Sequence, residues 1–206
     1  MRVSRLESLL ERMVPPIPEP RPELEQYTTP AGIALRLAQT IAMRSGLDYE
    51  IADLGAGTCR LTAALALLGA EALVAVEADR RLTSYCIMGL ERLGVEWTTS
   101  IVVGWVGEGP SGPLARADLV VMNPPFGVQR RGADTVFLAY SFSLRPWRVY
   151  AILKSGNEDY HRRLAEEWGY SARILYREWF SLPATMAHHR SRTRRVEVDV
   201  YEFEKV

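Results

Sequence analysis

The chain has few of the features that mark several common protein classes. Cys59 and Cys86 are its only cysteines. They lack the paired spacing of a zinc site, so the sequence supports neither a disulfide framework nor a metal centre, and we expect a reducing compartment. No apolar run approaches the ~20 residues of a membrane helix. The N-terminal stretch "MRVSRLESLLERM" carries scattered charges, unlike a signal peptide, which favours a cytoplasmic protein.

The chain also lacks a net charge, because Lys+Arg and Asp+Glu both number 25. No global field therefore draws it toward nucleic acid or membrane, and any such affinity must come from a local patch. A chain of 206 residues can bury one sizeable core and is short for two ordinary domains. We predict an N-terminal helix and Pro-rich extension over 1–23, followed by one folded domain over 24–206.

Apolar periodicity and turn residues predict alternating helices and strands. Helices are predicted at 2–13, 31–44, 61–68, 80–93, 134–144 and 158–168, and strands at 49–54, 72–76, 99–106, 118–122, 149–153, 172–176 and 196–203. Thr29 is predicted to cap the second helix, with Pro30 in its first turn. The alternation indicates an α/β fold with a seven-stranded, mostly parallel sheet and helices on both faces. The last two strands have no helix between them and should form an antiparallel C-terminal hairpin.

A glycine-rich loop follows the first predicted strand. Gly55 and Gly57 permit a tight turn there and a close approach of backbone donors to a ligand. Glu77 closes the next strand, where a carboxylate can accept both hydroxyls of a ribose. The pattern favours a nucleoside-bearing cofactor, although an ordinary strand-to-helix turn is the alternative. Cys59 stands where a dinucleotide-binding loop has its third glycine, so S-adenosylmethionine, which has no phosphate, fits better.

A second pattern ends the predicted fourth strand, where "LVVM" runs directly into "NPPF", residues 123–126. The prolines have no backbone donor and cannot continue the strand, so a stiff turn must hold one amide and one aromatic ring. Open α/β sheets bind their ligands at the carboxyl ends of the strands. The turn is therefore a candidate site, the alternative being a prolyl turn with a buried asparagine cap.

Together, the glycine loop and "NPPF" resemble class I S-adenosylmethionine-dependent methyltransferases that modify an exocyclic or amide nitrogen. The resemblance implies a Rossmann-like fold and a catalytic turn made of Asn123, Pro124, Pro125 and Phe126. An aryl amine is a poor nucleophile because its lone pair is delocalised into the ring. Hydrogen bonds from the amine to the Asn123 side-chain oxygen and the Pro124 carbonyl would localise that lone pair, while Phe126 stacks on the ring.

Further stretches narrow the resemblance to one family. "LEQYTTP", "IADLGAGT", "VMNPPFG" followed by "GAD", "ILKS" and the tail "FSLPATMAHHRSRTRRVEVDVYEF" resemble the methyltransferase-like-five family, which methylates N6 of an adenosine in small-subunit ribosomal RNA. The family implies that reaction here. It also implies that the cofactor is bound by Gln26, Tyr27, Thr29, Asp53, Gly55, Gly57, Glu77 and Asn123. Two positions depart from the family pattern: Cys59 replaces a glycine, and Trp105 replaces the acidic residue that meets the adenine amine.

Local charge favours an RNA partner. The run "HHRSRTRR" clusters cations in the turn of the final hairpin, and two arginines follow the "NPPF" turn closely. The predicted RNA contacts are Arg130, Arg131, His189, Arg190, Arg192, Arg194 and Arg195. A solvated basic loop is the alternative. The histidines have no Cys or carboxylate at ligand spacing, so no metal is predicted.

The predicted third strand lies at the sheet edge in the usual strand order of this fold. Its stretch "SIVVGWV" has neither Lys nor Pro to discourage pairing with another chain. Eukaryotic family members bind a small zinc-containing activator protein by strand addition, which implies a similar partner at Ile101 to Val106. The alternative is that the N-terminal helix covers this edge.

Other functions stay open on sequence alone. The same turn serves release-factor methyltransferases, which modify a glutamine amide but usually carry Tyr at the position of Phe126 and an extra N-terminal domain. DNA adenine and RNA guanine N2 are also compatible substrates. A third class of protein, a non-catalytic RNA-binding subunit, could have lost the cofactor through Cys59 and Trp105. The intact Asn123 and Glu77 argue against that interpretation, because an inactive site needs neither.

Overall fold

The computed structural model describes residues 3–107, 112–127, 131–183 and 193–206. Within these residues the helices are α1 (Val3–Met13), α2 (Ala31–Arg44), α3 (Arg60–Leu67), α4 (Arg80–Leu93), α5 (Ala133–Ser143) and α6 (Glu158–Glu167). The strands are β1 (Ile51–Leu54), β2 (Leu73–Glu77), β3 (Thr99–Val103), β4 (Leu119–Met122), β5 (Arg148–Lys154), β6 (Tyr170–Pro183) and β7 (Thr193–Lys205). Short 3₁₀ turns lie at Pro22–Leu24 and Glu96–Thr98.

The strands form one seven-stranded sheet in the order β3-β2-β1-β4-β5-β7-β6. The first five strands are parallel, and β7 runs antiparallel between β5 and β6. The predicted fold class and the C-terminal hairpin are confirmed. Leu54 is in register with both Val76 and Met122. Asn123 and the glycine loop, which follow β4 and β1, therefore leave the sheet side by side at its carboxyl edge, next to Glu77 at the end of β2.

Helices cover both faces of the sheet and enclose two apolar cores. Strand β5 shows the division, because Tyr150 and Ile152 face one core while Ala151 and Leu153 face the other. The first core is closed by α1 to α4 and the second by α5 and α6. Strands buried on both faces need continuous apolar runs, which explains why β1 and β4 are buried along their whole length.

Helix α1 is part of the first core. Its buried Leu10 and the following Val14 are fully enclosed, and the helix packs against α2, α3 and α4. Gly89 of α4 permits this approach, since a Cβ at that position would lie 3.2 Å from Val14 Cγ2. Strand β3 forms one edge of the sheet, and Val103 at its end is 53% exposed.

Several element boundaries differ from the predictions. Strands β6 and β7 extend well beyond the predicted 172–176 and 196–203, because they pair with each other past the end of β5. Apolar burial is sparse in that part of the hairpin, so the sequence has no strong strand signal there. A register shift between Ile174 and Tyr176 also interrupts the alternating pattern of β6. The predicted cap of α2 is wrong: Pro30 occupies the N-cap, and the Thr29 hydroxyl bonds to Asn123 instead. Among the described residues, no helix is long and apolar enough to cross a membrane.

Candidate active site

A cavity of about 170 Å³ lies at the carboxyl ends of β1, β2 and β4. The glycine loop, the segment before α2 and the start of α5 complete its wall. All eight predicted cofactor residues line it: Gln26, Tyr27, Thr29, Asp53, Gly55, Gly57, Glu77 and Asn123. Pro125 of the "NPPF" turn lines it as well. The fold thus gathers residues from four separate stretches around one space, although their individual roles stay predictions.

The glycine loop needs glycine for both conformation and space. Gly55 has a φ of +75°, in the left-handed region that L side chains rarely adopt. A Cβ at Gly55 would also lie 3.0 Å from Phe137 Cε1. The backbone N–H of Gly57 donates to Glu77 Oε2 at 2.8 Å, which ties the loop to the end of β2.

Glu77 is nearly buried, and each of its carboxylate oxygens accepts one backbone hydrogen bond. Gly57 donates to Oε2 and Asp79 to Oε1, both at 2.8 Å. Burial raises the pKa of Glu77, and these backbone donors oppose the rise. A carboxylate has about four acceptor sites, so Glu77 keeps the capacity to accept ribose hydroxyls.

Asp53 is buried and only half of its carboxylate is satisfied. Oδ2 accepts from the Thr62 amide at 3.1 Å and from the Thr62 hydroxyl at 2.6 Å. Oδ1 has no hydrogen-bond partner among the described residues. Burial raises the pKa of Asp53 to about 6, against the two bonds from Thr62. A buried, unsatisfied carboxylate oxygen on a cavity wall suits a cationic donor from a ligand.

Asn123 has the polarity that the predicted chemistry requires. Its Nδ2 donates to Thr29 Oγ1 at 2.9 Å. Its Oδ1 is buried and has no hydrogen-bond partner within the described part of the chain. Thr29 therefore occupies the donor side of the amide and leaves the oxygen as an acceptor beside the cavity.

An aromatic cluster joins the "NPPF" turn to the C-terminal hairpin. The Phe126 ring stacks on Tyr27 with centroids 5.8 Å apart and meets the edge of Phe180 at 5.6 Å. Phe180 belongs to β6, so the hairpin reaches the active-site turn. Phe126 is only 6% exposed, and its stacking on a target base stays a prediction.

Two polar side chains, Arg60 on the cavity wall and Asp79 behind Gln26, are not among the residues predicted from sequence. Asp79 is the buried N-cap of α4 and accepts from Gln26 Nε2 at 3.1 Å and from Arg81 Nη2 at 2.8 Å. The Arg81 guanidinium holds the pKa of Asp79 well below its usual range. An Asp just before a helix is a recognisable cap signal, whereas the bond to Gln26 depends on the fold. Arg60, the first residue of α3, lines the cavity itself.

The expectation that the cysteines form no disulfide is wrong. Cys59 and Cys86 are buried and disulfide-bonded, with their Cα atoms 5.0 Å apart. They lie 27 positions apart, and only the packing of α3 against α4 brings them together. The disulfide removes the argument for a reducing compartment. It does not indicate an oxidising compartment either, since intracellular proteins of hyperthermophiles also carry disulfides.

The predicted RNA-contacting residues divide between described and undescribed segments. Arg130, His189, Arg190 and Arg192 lie outside the described residues. Arg131 and Arg195 are exposed, and Arg194 is a residue of strand β7. Lys154 at the end of β5 is in register with Val198, so 194–195 extend past the carboxyl edge of the sheet, on the side of the cavity. No cluster of three potential metal ligands occurs among the described residues.

The sequence profile of the methyltransferase small domain family matches residues 33–144, more than half of the chain. The chain belongs to this methyltransferase family. The methyltransferase is 29% identical to rRNA N(6)-adenosine-methyltransferase Mettl5 of Drosophila melanogaster, over 99% of this chain and 97% of that protein. It is 28% identical to rRNA N(6)-adenosine-methyltransferase METTL5 of Danio rerio, over 98% and 99% of the two chains.

The fold of the methyltransferase is also that of a crystal structure from Pyrococcus horikoshii, of a protein suggested to be an RNA methyltransferase. The two are 31% identical and superpose with a TM-score of 0.85, over 100% of this chain and 97% of the other. The similarity therefore extends through α1 and the C-terminal hairpin, beyond the segment that the family profile matches.

We expect Asp53→Asn to stabilise the ligand-free methyltransferase at neutral pH. Burial in the folded chain raises the pKa of Asp53 from the ordinary 3.8 to about 6. The free energy of unfolding therefore falls as pH rises from about 4 to 6, because the unfolded chain releases the proton more readily. Asparagine escapes that penalty, which is at most about 3 kcal/mol at pH 7. Urea unfolding at pH 4 and pH 7 measures the difference. A variant that gains nothing between these two pH values would contradict the assignment.

Proposed function

We propose that the protein is an S-adenosylmethionine-dependent N6-adenosine methyltransferase that acts on structured RNA, in particular small-subunit ribosomal RNA. One observation carries the proposal: Asn123 Oδ1 is buried beside the cavity with no hydrogen-bond partner among the described residues, while Thr29 Oγ1 accepts from the amide nitrogen. An amide oxygen presented in this way accepts a hydrogen bond from an exocyclic amine. The named relatives from Drosophila melanogaster and Danio rerio, both rRNA N(6)-adenosine-methyltransferases, support adenine N6 as that amine.

The residues around the cavity fit S-adenosylmethionine. Its ribose hydroxyls match the remaining acceptor capacity of Glu77, and its cationic end matches the unsatisfied Asp53 Oδ1. Trp105 and Val106 supply apolar surface for the purine. Cys59 has a φ of 67° and adopts the left-handed conformation that a glycine would take there. The two departures from the family pattern are therefore compatible with cofactor binding.

When bound, S-adenosylmethionine supplies a methyl group on a positively charged sulfur. The protein's part is to orient the nucleophile. Asn123 Oδ1 and the Pro124 carbonyl each accept a hydrogen bond from one N–H group of the adenine amine. These two bonds direct the lone pair of the amine nitrogen away from the ring. With the cofactor bound, the N–CH₃ bond would form as the S–CH₃ bond breaks, and the amine would then lose a proton to solvent, because neither the Asn123 amide nor the Pro124 carbonyl is a base. The products are S-adenosylhomocysteine, N6-methyladenosine and a proton.

A methylation assay tests the proposal directly. Purified protein is incubated with S-adenosylmethionine and deproteinised small-subunit RNA, and nucleosides are then analysed by mass spectrometry. N6-methyladenosine is expected as the product. Methylation of guanine N2 instead would reject adenine as the substrate. Absence of any cofactor binding in a calorimetric titration would reject the enzyme and favour an RNA-binding subunit.

RNA binding is proposed to use the exposed arginines at the carboxyl edge. Arg131→Ala and Arg195→Ala should each weaken RNA binding and make the slope of log K against log salt shallower by about 0.7 to 0.9. Fluorescence anisotropy over a series of salt concentrations measures this slope. Arg12→Ala on the exposed face of α1 is the matched control and should leave it unchanged. Equal slopes for all three variants would contradict the proposed surface.

We also propose that the edge strand β3 binds a small zinc-containing activator protein. Val103 and Trp105 are 53% and 48% exposed at this edge, while α1 packs against α2, α3 and α4. Val103→Glu should abolish co-purification with the co-expressed activator, because a carboxylate there opposes a paired apolar strand. Ile174→Glu on the opposite edge strand, where Ile174 is 38% exposed, is the control. Retained co-purification of Val103→Glu would rule out this edge. A cytoplasmic location, where ribosomal RNA is available, is part of the same proposal.

A further inference from the structure

Arg60 is the only cation among the described residues that line the cavity. Its side chain is almost completely buried, with 4% exposed. Nε donates to the Val14 carbonyl at 3.1 Å and Nη1 to the Thr29 carbonyl at 3.3 Å. Nη2 is buried and has no hydrogen-bond partner among the described residues. One terminal nitrogen of the guanidinium therefore remains to be satisfied.

The positive charge of Arg60 is poorly compensated. Its ion-pair partner is Glu11, whose carboxylate oxygens lie 3.4 and 3.5 Å from Nη1. The Glu11 side chain is 62% exposed, so solvent screens this long contact. Burial lowers the pKa of Arg60, and Glu11 opposes that effect. A buried cation in this position favours a closer anion.

Thr29 places Arg60 on the Asn123 side of the cavity. The Thr29 carbonyl accepts from Arg60, and the Thr29 hydroxyl accepts from Asn123 Nδ2. Glu77, proposed to bind the ribose, lies at the end of β2, and the strand order places β1 with its glycine loop between β2 and the strand that leads to Asn123, β4. Arg60 thus lies toward the end of the cavity where the methyl group must be presented.

The rest of the ionisable lining repels anions. Its acidic members are Glu23, Glu25, Asp53 and Glu77. A carboxylate or phosphate in this cavity would be destabilised except beside Arg60. An ammonium group, in contrast, is suited to Asp53 Oδ1. One cation and one carboxylate oxygen without a partner among the described residues line the same cavity and match the two charges of an α-amino acid.

We propose that Arg60 binds the α-carboxylate of the cofactor's amino-acid end through Nη2, and thereby makes the site selective for cofactors that retain this carboxylate. The inference rests on the proposed function, because it assigns one end of the cofactor named there. It also explains why a basic residue is buried at the start of α3. Each of the three nitrogens of Arg60 then has an acceptor: the Val14 carbonyl for Nε, the Thr29 carbonyl and Glu11 for Nη1, and the ligand oxygen for Nη2.

The decisive experiment compares three ligands on the unmodified protein by calorimetric titration. They are S-adenosylmethionine, decarboxylated S-adenosylmethionine and 5′-methylthioadenosine, which lacks the amino-acid end. A charge-assisted hydrogen bond to a buried cation predicts that decarboxylation weakens binding about 10- to 100-fold. Equal affinities for the first two ligands would overturn the role of Arg60 and leave the proposed function intact. Failure of all three ligands to bind would overturn both.

Variants separate ligand binding from structural support. Arg60→Met should reduce the affinity ratio between the first two ligands to about one by weakening only the carboxylated ligand, and Arg60→Lys should restore part of the ratio. Glu11→Gln is the matched control, because it removes the other charge beside Arg60 and should leave the ratio at least as large. Arg60→Met also loses the bonds to Val14 and Thr29, so its thermal unfolding is measured in parallel. A ratio that persists in a folded Arg60→Met variant would contradict the proposal.

Discussion

Asn123→Ala is expected to reduce kcat by a factor of about 10² to 10³, the usual loss when one oriented hydrogen-bonding group is removed from the reacting centre. The Asn123 amide oxygen is buried and has no partner in the part of the chain that the structure describes, and alanine has no atom there that can accept from the adenine amine. The Kd for S-adenosylmethionine should change by less than about tenfold, because Asp53, Glu77 and the glycine loop remain. Single-turnover methylation and calorimetric titration measure the two quantities separately.

Variants of Thr29 and Asn157 test whether the orientation of the Asn123 amide determines kcat. Thr29→Val removes the hydroxyl that accepts from Asn123 Nδ2, so the amide can rotate and kcat should fall, but less than in Asn123→Ala. Asn157→Ala is the matched control, since Asn157 precedes α6 and does not line the cavity. Wild-type kcat in Asn123→Ala would show that the amide does not orient the substrate, and the catalytic turn would have to act through its backbone alone.

Local sequence signals predict helix bounds well where an apolar face ends at a glycine. The bounds of α2 and α4 match the predictions at 31–44 and 80–93, because an apolar face runs their full length and a positive-φ glycine follows the end of each helix. The bounds of β6 could not be predicted in the same way. Edge strands are exposed on one side, and the register shift after Ile174 breaks the two-residue period that the prediction relied on.

Some residues of the candidate site could be predicted from local sequence, and others depend on the fold. Residues in contiguous motifs, such as Gly55 or Asn123, could be identified because each motif carries its own chemistry. Arg60 could not, since an arginine at a helix start is ordinary on the surface, and only the packing of Val14 and Thr29 around it makes it a buried cation. The disulfide was missed for the same reason: its 27-residue separation has no local signal.

Loss of the Cys59–Cys86 disulfide is expected to lower the free energy of unfolding by about 3 to 4 kcal/mol. The loop of 27 positions that it closes no longer restricts the unfolded chain once the bond is reduced. Cys86→Ser should show this loss in full, together with the cost of a hydroxyl in a buried site. Urea unfolding of the oxidised wild type, the reduced wild type and the variant measures it.

Cys59→Gly separates the covalent bond from the backbone conformation. It also abolishes the disulfide, but glycine is at ease with the φ of 67° at position 59 and recovers about 1 kcal/mol relative to a side-chain-bearing residue. We therefore expect it to be more stable than Cys86→Ser, with neither variant responding to a reductant. If both unfold at the urea concentration of the oxidised wild type, the cysteines are not paired in solution. If Cys59→Gly is less stable than wild type yet binds S-adenosylmethionine equally well, the glycine loop holds its shape through Gly57 and Glu77, and the disulfide serves stability alone.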